Sequence, residues 1–298
     1  MTSTSPTWLQ VQVRVEAEHA DAAESTLFDA GASAVTLLDA EDHPVHEPAP
    51  GEIPLWPDVI VQGLFEADPE RDAIVRALIA AGLVDNPTAI SFEPLADQDW
   101  ERAWMDDYQP IRFGESLWIC PSHVEPDPDW PLVIRLDPGL AFGSGTHPTT
   151  AMCLEWVDRN PVEGQTVVDY GCGSGVLAIA CALKGAQEVV AIDHDPQALV
   201  ATLDNAERNG VGERIERLRP EDFQPGSAQL VLANILASPL VELADTLVGC
   251  CQPGGSLVLS GILAEQADGV IAAYSETCTL VDQARSGDWV RLDWKKTS

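Results

Sequence analysis

Lysine is scarce in this chain: three among 298 residues, Lys184, Lys295 and Lys296. Only 16 basic residues face 48 acidic ones, for a formal net charge of -32. Such a field repels nucleic acid and anionic membrane surfaces, so neither is expected as a partner. No apolar run approaches the ~20 residues of a membrane span. The start, "MTSTSPTWLQVQV", lacks the basic flank and apolar stretch of a secretory signal. A cytoplasmic protein is the expectation. Paired CxxC spacings are missing among the seven cysteines, an odd number that fits reduced, buried thiols better than a disulfide framework. His43 and His46 share a proline-rich loop without a nearby cysteine, so they read as exposed side chains and no metal site is expected.

The acidity is uneven: residues 1–130 hold 26 acidic and 5 basic side chains, residues 131–298 hold 22 and 11. That asymmetry would steer a basic partner toward the N-terminal half, and it would equally serve solubility alone. The length suits two domains.

Over residues 1–95 short elements alternate. "WLQVQVRVEA", "SAVTLLDA", "DVIVQGLFEA" and "AISFEPL" have the period-two pattern of strands. "EHADAAESTLFDAG" reads as a helix stopped by Gly31, and "DPERDAIVRALIAAG" as one capped by Asp68 and stopped by Gly82. The order βαββαβ predicts a small ferredoxin-like α+β domain. It carries no phosphate-type loop or catalytic cluster, which makes binding its expected job. Residues 96–130 read as a linker: Trp100 and Trp104 lie one helical turn apart and can dock together, "QPIRFGESLWICPSH" is strand-like, and "VEPDPDWP" is rich in proline and acid.

From residue 131 to 298 continuous apolar runs ("TVVDYG", "EVVAID", "IERLRP", "AQLVLANI", "GSLVLSGI") alternate with helical stretches, which predicts a parallel sheet covered on both faces. "CTLVDQARSGDWVRLDWKK" closes the chain as a β-hairpin. An α/β sheet ending in an antiparallel hairpin resembles the Rossmann-like class I methyltransferase layout, whereas dinucleotide-binding dehydrogenases usually end on a sixth parallel strand.

In "VVDYGCGSGVLAIA" the residues Gly171, Gly173 and Gly175 follow a strand and open a helix, a place where backbone N–H groups can meet a ligand. Val176 stands where the dinucleotide fingerprint has its third glycine, which favours a nucleoside without pyrophosphate. Asp169 either orients this turn, accepts from a cationic amine or caps its strand. Asp193, in "AIDHDP", ends the second strand, where a carboxylate can take both hydroxyls of a ribose. Asp195, followed by Pro196, is an N-cap, and His194 between them faces solvent. Asn234, in "LVLANILASPL", ends the fourth strand in the crevice where open α/β sheets bind ligands, with an acceptor and a donor to offer.

The stretches "LDPGLAFGSGTHPTTAMCLEW", "DYGCGSGVLAIA", "IDHDPQAL", "DNAERNGV", "ANILASPL" and "SGIL", in this order, resemble the ribosomal protein L11 methyltransferase family. The match starts at "DWERAWMDDYQPIRFGESLWICPS". The resemblance implies that the cofactor is S-adenosyl-L-methionine, with Thr150 hydrogen-bonding it, Gly171 and Gly173 approaching its methionine part, Asp193 holding the ribose, and Asn234 both binding it and acting catalytically near the reacting methyl. It implies a monomer whose partner is ribosomal protein L11, methylated at lysine ε-amines and the N-terminal α-amine, and an N-terminal domain that recognises this substrate. Ser144 and Tyr170 depart from the threonine and phenylalanine common in the family, preserving hydroxyl or size. His147 reads as structural.

Near neutral pH only about one lysine in a thousand is neutral, a handicap of ~4 kcal/mol that a dry, positively charged pocket reduces. Two other readings remain: a class I methyltransferase acting on another protein or a small molecule, and a noncatalytic S-adenosylmethionine-binding protein. "NILA" replaces the N-P-P-Y type motif expected for methylation of a base or a glutamine amide.

Overall fold

The computed structural model describes residues 8–41, 56–66, 69–95, 108–137, 145–224, 226 and 228–297. The chain divides into two compact units between Ala103 and Trp104. His43, His46, Asp68, Trp100, Trp104 and Ser144 lie outside the described residues.

The first unit runs β1 (Trp8–Glu16), α1 (Ala20–Asp29), β2 (Ala34–Asp39), β3 (Asp58–Glu66), α2 (Arg71–Ala80) and β4 (Ile90–Leu95). Its strands pair antiparallel in the order β2-β3-β1-β4. Strict alternation sorts the two faces: Leu9, Val11, Val13 and Val15 are buried and pack with Leu27 of α1 and Leu78 of α2, while Gln12 meets Gln62 on the other face at 2.9 Å. Both helices end where Gly31 and Gly82 were read as stops.

The second unit begins with a feature the sequence reading placed in a linker. From Tyr108 to Trp130 the expected linker is instead part of this unit. Strands β5 (Ile111–Phe113), β6 (Leu117–Cys120) and β7 (Leu132–Arg135) form a separate three-stranded sheet. Phe113, Leu117, Ile119 and Ile134 are buried in the core of the unit, and Trp130 stacks on Trp118 at 4.1 Å. Proline and acid marked the segment as a linker; its few apolar side chains anchor it by burial.

The main sheet then follows. Helix α3 (Pro148–Arg159) precedes β8 (Thr166–Tyr170), α4 (Val176–Leu183), β9 (Glu188–Ile192), α5 (Pro196–Arg208), β10 (Ile215–Leu218), β11 (Ala228–Asn234), α6 (Ala237–Glu242), α7 (Ala244–Cys250), β12 (Cys251–Leu263), α8 (Ala267–Tyr274), β13 (Cys278–Ser286) and β14 (Trp289–Lys296). The seven strands lie in the order β10-β9-β8-β11-β12-β14-β13. The first five are parallel, and β14 joins antiparallel between β12 and β13. The C-terminal hairpin therefore inserts its second strand next to β12.

Both faces are covered, which explains the unbroken apolar strands. Val167 and Leu232 pack with α3, α4 and the small sheet; Val168, Tyr170 and Val231 pack with α6, α7 and α8. Helix α4, "VLAIACAL", is apolar all round because seven of its eight residues are buried. Two of the three lysines serve helix C-termini: Lys184 Nζ donates to the carbonyls of Val157 and Asn160 after α3, and Lys296 Nζ to those of Val248 and Cys251 after α7. Such cations satisfy orphan carbonyls and oppose the negative end of the helix dipole. All seven cysteines are buried and unpaired, and burial pushes the thiols of Cys250 and Cys251 up to about 11.

Candidate active site

The site forms at the C-terminal ends of β8, β9 and β11, where the strand order reverses from β9-β8 to β8-β11. After β8 the chain turns through Gly171, Gly173 and Gly175, all with positive φ. A Cβ on Gly175 would come within 2.7 Å of Thr202 on α5. The turn was expected to present its N–H groups to a ligand, and here the structure corrects the reading. The amides of Gly171 and Cys172 donate to the Ile192 carbonyl at 2.8 and 3.0 Å, and that of Gly175 to Cys172. The Gly173 amide donates to Asp193 Oδ2 at 2.9 Å. Four donors of the turn are already used in tying it to itself and to the end of β9, so its value to a ligand is close backbone approach.

Asp193 is buried. Its Oδ1 accepts from the amide of Asp195 at 3.0 Å, so each carboxylate oxygen has one backbone partner and keeps a lone pair. Asp195 caps α5 by accepting from Gln197 N–H at 2.8 Å, as read. His194 is exposed, its imidazole 3.6 Å from Asp193.

Asp169 is 1% exposed. Its Oδ2 accepts from the Ala178 amide in the first turn of α4 at 3.0 Å; Oδ1 has no partner among the described residues. Burial pushes this carboxyl up to about 7, against the lowering effect of the Ala178 bond, with Asp193 nearby adding to the rise.

Thr150 and Asn234, 84 positions apart in sequence, meet here: Asn234 Nδ2 donates to Thr150 Oγ1 at 3.1 Å. Thr150 rides on α3, whose N-cap is His147. The His147 ring lies edge-on to Trp289 at 4.9 Å, its Nδ1 2.7 Å from Thr149 Oγ1, and burial lowers its pKa. That capping geometry agrees with a structural histidine.

Several supporting residues escaped the sequence reading. Thr202 Oγ1 and Asn205 Nδ2 donate to the carbonyls of Gly173 and Ser174 at 3.1 and 2.9 Å; their three-residue spacing on α5, which puts both on one face, was the available signal. Ser260 Oγ donates to the Thr149 carbonyl at 3.2 Å. Buried Arg291 on β14 forks onto Asp293 at 2.7 and 2.9 Å and reaches the Met152 carbonyl of α3 at 2.7 Å. Asp293 also takes a hydrogen bond from the Trp156 indole on α3, while burial raises its pKa. Helix α3, the carrier of Thr150, is thus held to β11, β12 and β14 by polar contacts at four points.

Five parallel strands with an inserted antiparallel seventh, a glycine turn after the first and an acid after the second define a class I, S-adenosylmethionine-dependent methyltransferase. The family model described as ribosomal protein L11 methyltransferase matches residues 7–297. A ribosomal protein L11 methyltransferase of Alteromonas mediterranea is 49% identical over 290 residues, covering 97% of this chain and 99% of its own. One of Pseudomonas aeruginosa is 50% identical over 293 residues, covering 97% and 98%. The crystal structure of a ribosomal protein L11 methylase from Lactobacillus delbrueckii subsp. bulgaricus superposes with a TM-score of 0.59 at 33% identity, covering 64% of this chain and all of its own. The chain belongs to the ribosomal protein L11 methyltransferase family.

Proposed function

We propose that the protein methylates ribosomal protein L11 at lysine ε-amines and the N-terminal α-amine. The carrying observation is the Asn234 carboxamide, fixed through its Nδ2 on Thr150 at the mouth of the sheet, which leaves its Oδ1 to accept an N–H from the incoming amine.

The crevice fits S-adenosylmethionine by its donor set. The orphan oxygen of Asp169 suits the cationic amine of a methionine moiety, the spare lone pairs of Asp193 suit two vicinal ribose hydroxyls, Thr150 retains its hydroxyl proton, and Gly171 and Gly173 let the ligand lie against the backbone. When bound, the cofactor supplies an electrophilic methyl on a sulfonium. Asn234 orients the neutral amine lone pair toward that methyl. No His/Asp or Cys/His pair stands at the crevice among the described residues, so the ammonium proton leaves to solvent before transfer. Orientation of the two reactants carries most of the rate, an effect that can reach ~7 kcal/mol or more.

The first unit is read as ferredoxin-like on its βαββαβ order and antiparallel β2-β3-β1-β4 sheet, and as the substrate-recognition module, spanning residues 1–95. The excess of acid over residues 1–130 suits a basic ribosomal protein and disfavours nucleic acid. No helix among the described residues is long and apolar enough to cross a membrane. The working form is a cytoplasmic monomer.

Intact-mass spectrometry of unmodified large-subunit proteins incubated with the protein and S-adenosylmethionine tests the reading. Increments of one methyl confined to L11 are expected, and Asn234→Ala should cut their rate by roughly 10²-fold with cofactor still bound. Modification of a different protein, or normal turnover by the variant, would remove the substrate or the role of Asn234 respectively.

A further inference from the structure

Strand β11 is flanked by β8 and β12, and each neighbour has a glycine beside the residue that follows Asn234. A Cβ on Gly171, after β8, would overlap Ile235 Cγ2. On Gly261, within β12, it would stand 2.7 Å from the Ile235 carbonyl carbon and closer still to its oxygen. The Gly171 conflict involves a side chain, whereas the Gly261 conflict involves backbone and cannot be relieved by a rotamer. Gly261 has φ +87°, and the pairing of β12 with β14 shifts register between Leu259 and Ile262. The irregularity in β12 therefore opens a notch under the Ile235 peptide. Gly261 belongs to the "SGIL" stretch, to which the reaction as described gives no role.

We propose that Gly261 is a positioning residue for methyl transfer. With Gly171 it forms a two-glycine seat that holds the Ile235 backbone, and the seat fixes the Asn234 carboxamide one residue earlier. Any side chain at Gly261 lifts Ile235, turns Asn234 away from Thr150 and misplaces the group that orients the amine. The inference rests on the catalytic placement of Asn234 proposed above.

The test compares kcat and KM for L11, cofactor Kd and thermal midpoint in Gly261→Ala, Gly254→Ala, Ile235→Ala, Asn234→Ala and the Gly261→Ala/Asn234→Ala double variant. Gly254 is also in β12 and has φ +74°, but a Cβ there meets nothing within 4 Å, so it reports backbone strain alone. Gly261→Ala should lower kcat by about tenfold to 10²-fold, since misplacement by about 1 Å is enough for that, with cofactor Kd changed less than about threefold. Gly254→Ala should keep the parental kcat. In the Asn234→Ala background the Gly261 substitution should add nothing to the loss of kcat, the signature of two residues acting through one group. If Gly261→Ala does not fold, Ile235→Ala reads the seat from its other side and should show the same kcat loss and the same non-additivity. Full multiplication of the two effects, or parental kcat in Gly261→Ala or in Ile235→Ala, would overturn the seat. Parental kcat in Asn234→Ala would instead overturn the underlying reading.

Discussion

Asp169→Asn exchanges a buried carboxyl for a neutral amide of nearly the same shape. In the parental protein burial lifts this carboxyl from 3.8 to about 7. Between those values the folded protein retains a proton that the unfolded chain has released, so folding stability falls as pH rises from about 4 to 7 and is level above. Three units correspond to about 4 kcal/mol at pH 8. The asparagine carbonyl can keep the Ala178 bond, but its amide nitrogen replaces the orphan Oδ1 and lacks an acceptor, costing about 1–3 kcal/mol. Urea unfolding without cofactor should therefore show the variant more stable than the parent by about 1–3 kcal/mol at pH 8, with the advantage gone at pH 5.5. Calorimetric titration with S-adenosylmethionine should show the opposite preference. A cationic ligand needs the ionised carboxylate, so parental affinity should rise by about tenfold or more from pH 5.5 to 8, while the variant binds more weakly and without that rise. An identical pH dependence of stability in both proteins would refute the buried, unpaired carboxyl, and a pH-independent parental affinity would refute its pairing with the cofactor amine.

Arg291→Met leaves Asp293 buried without its fork and should cost about 3–5 kcal/mol in urea unfolding, whereas Arg291→Met/Asp293→Leu should recover part of that loss; a double variant no better than the single would show that the ion pair is not what fastens α3. Removing residues 1–103, one of the two compact units, should leave S-adenosylmethionine binding intact by calorimetry and abolish transfer to L11. Full transfer by the shortened chain would remove the recognition role from the first unit.

The residues most legible in the sequence were those whose signal is local. Asp195 with Pro196 announces a helix start, the spacing of Gly171, Gly173 and Gly175 after "TVVDY" announces a tight turn, and period-two alternation marks β1 and β3 whatever lies against them. Even the β13–β14 hairpin could be read from two alternating runs around Ser286–Gly287. The small β5-β6-β7 sheet could not, because three or four residues per strand carry too little pattern and the proline-rich segment before β7 hides its neighbour.

What the sequence by itself determined was which segments are strands and helices and which polar side chains stand at strand ends, because periodicity, caps and turn chemistry act over a few residues. Tertiary structure alone decided the partners. It brought Asn234 to Thr150 across 84 positions and left one oxygen of Asp169 unpaired in the core. It folded Arg291 onto Asp293 beneath α3, and pressed Gly261 against the Ile235 backbone. Each of these depends on desolvation or on a contact of a few ångströms between distant segments, and neither exists until the chain has closed.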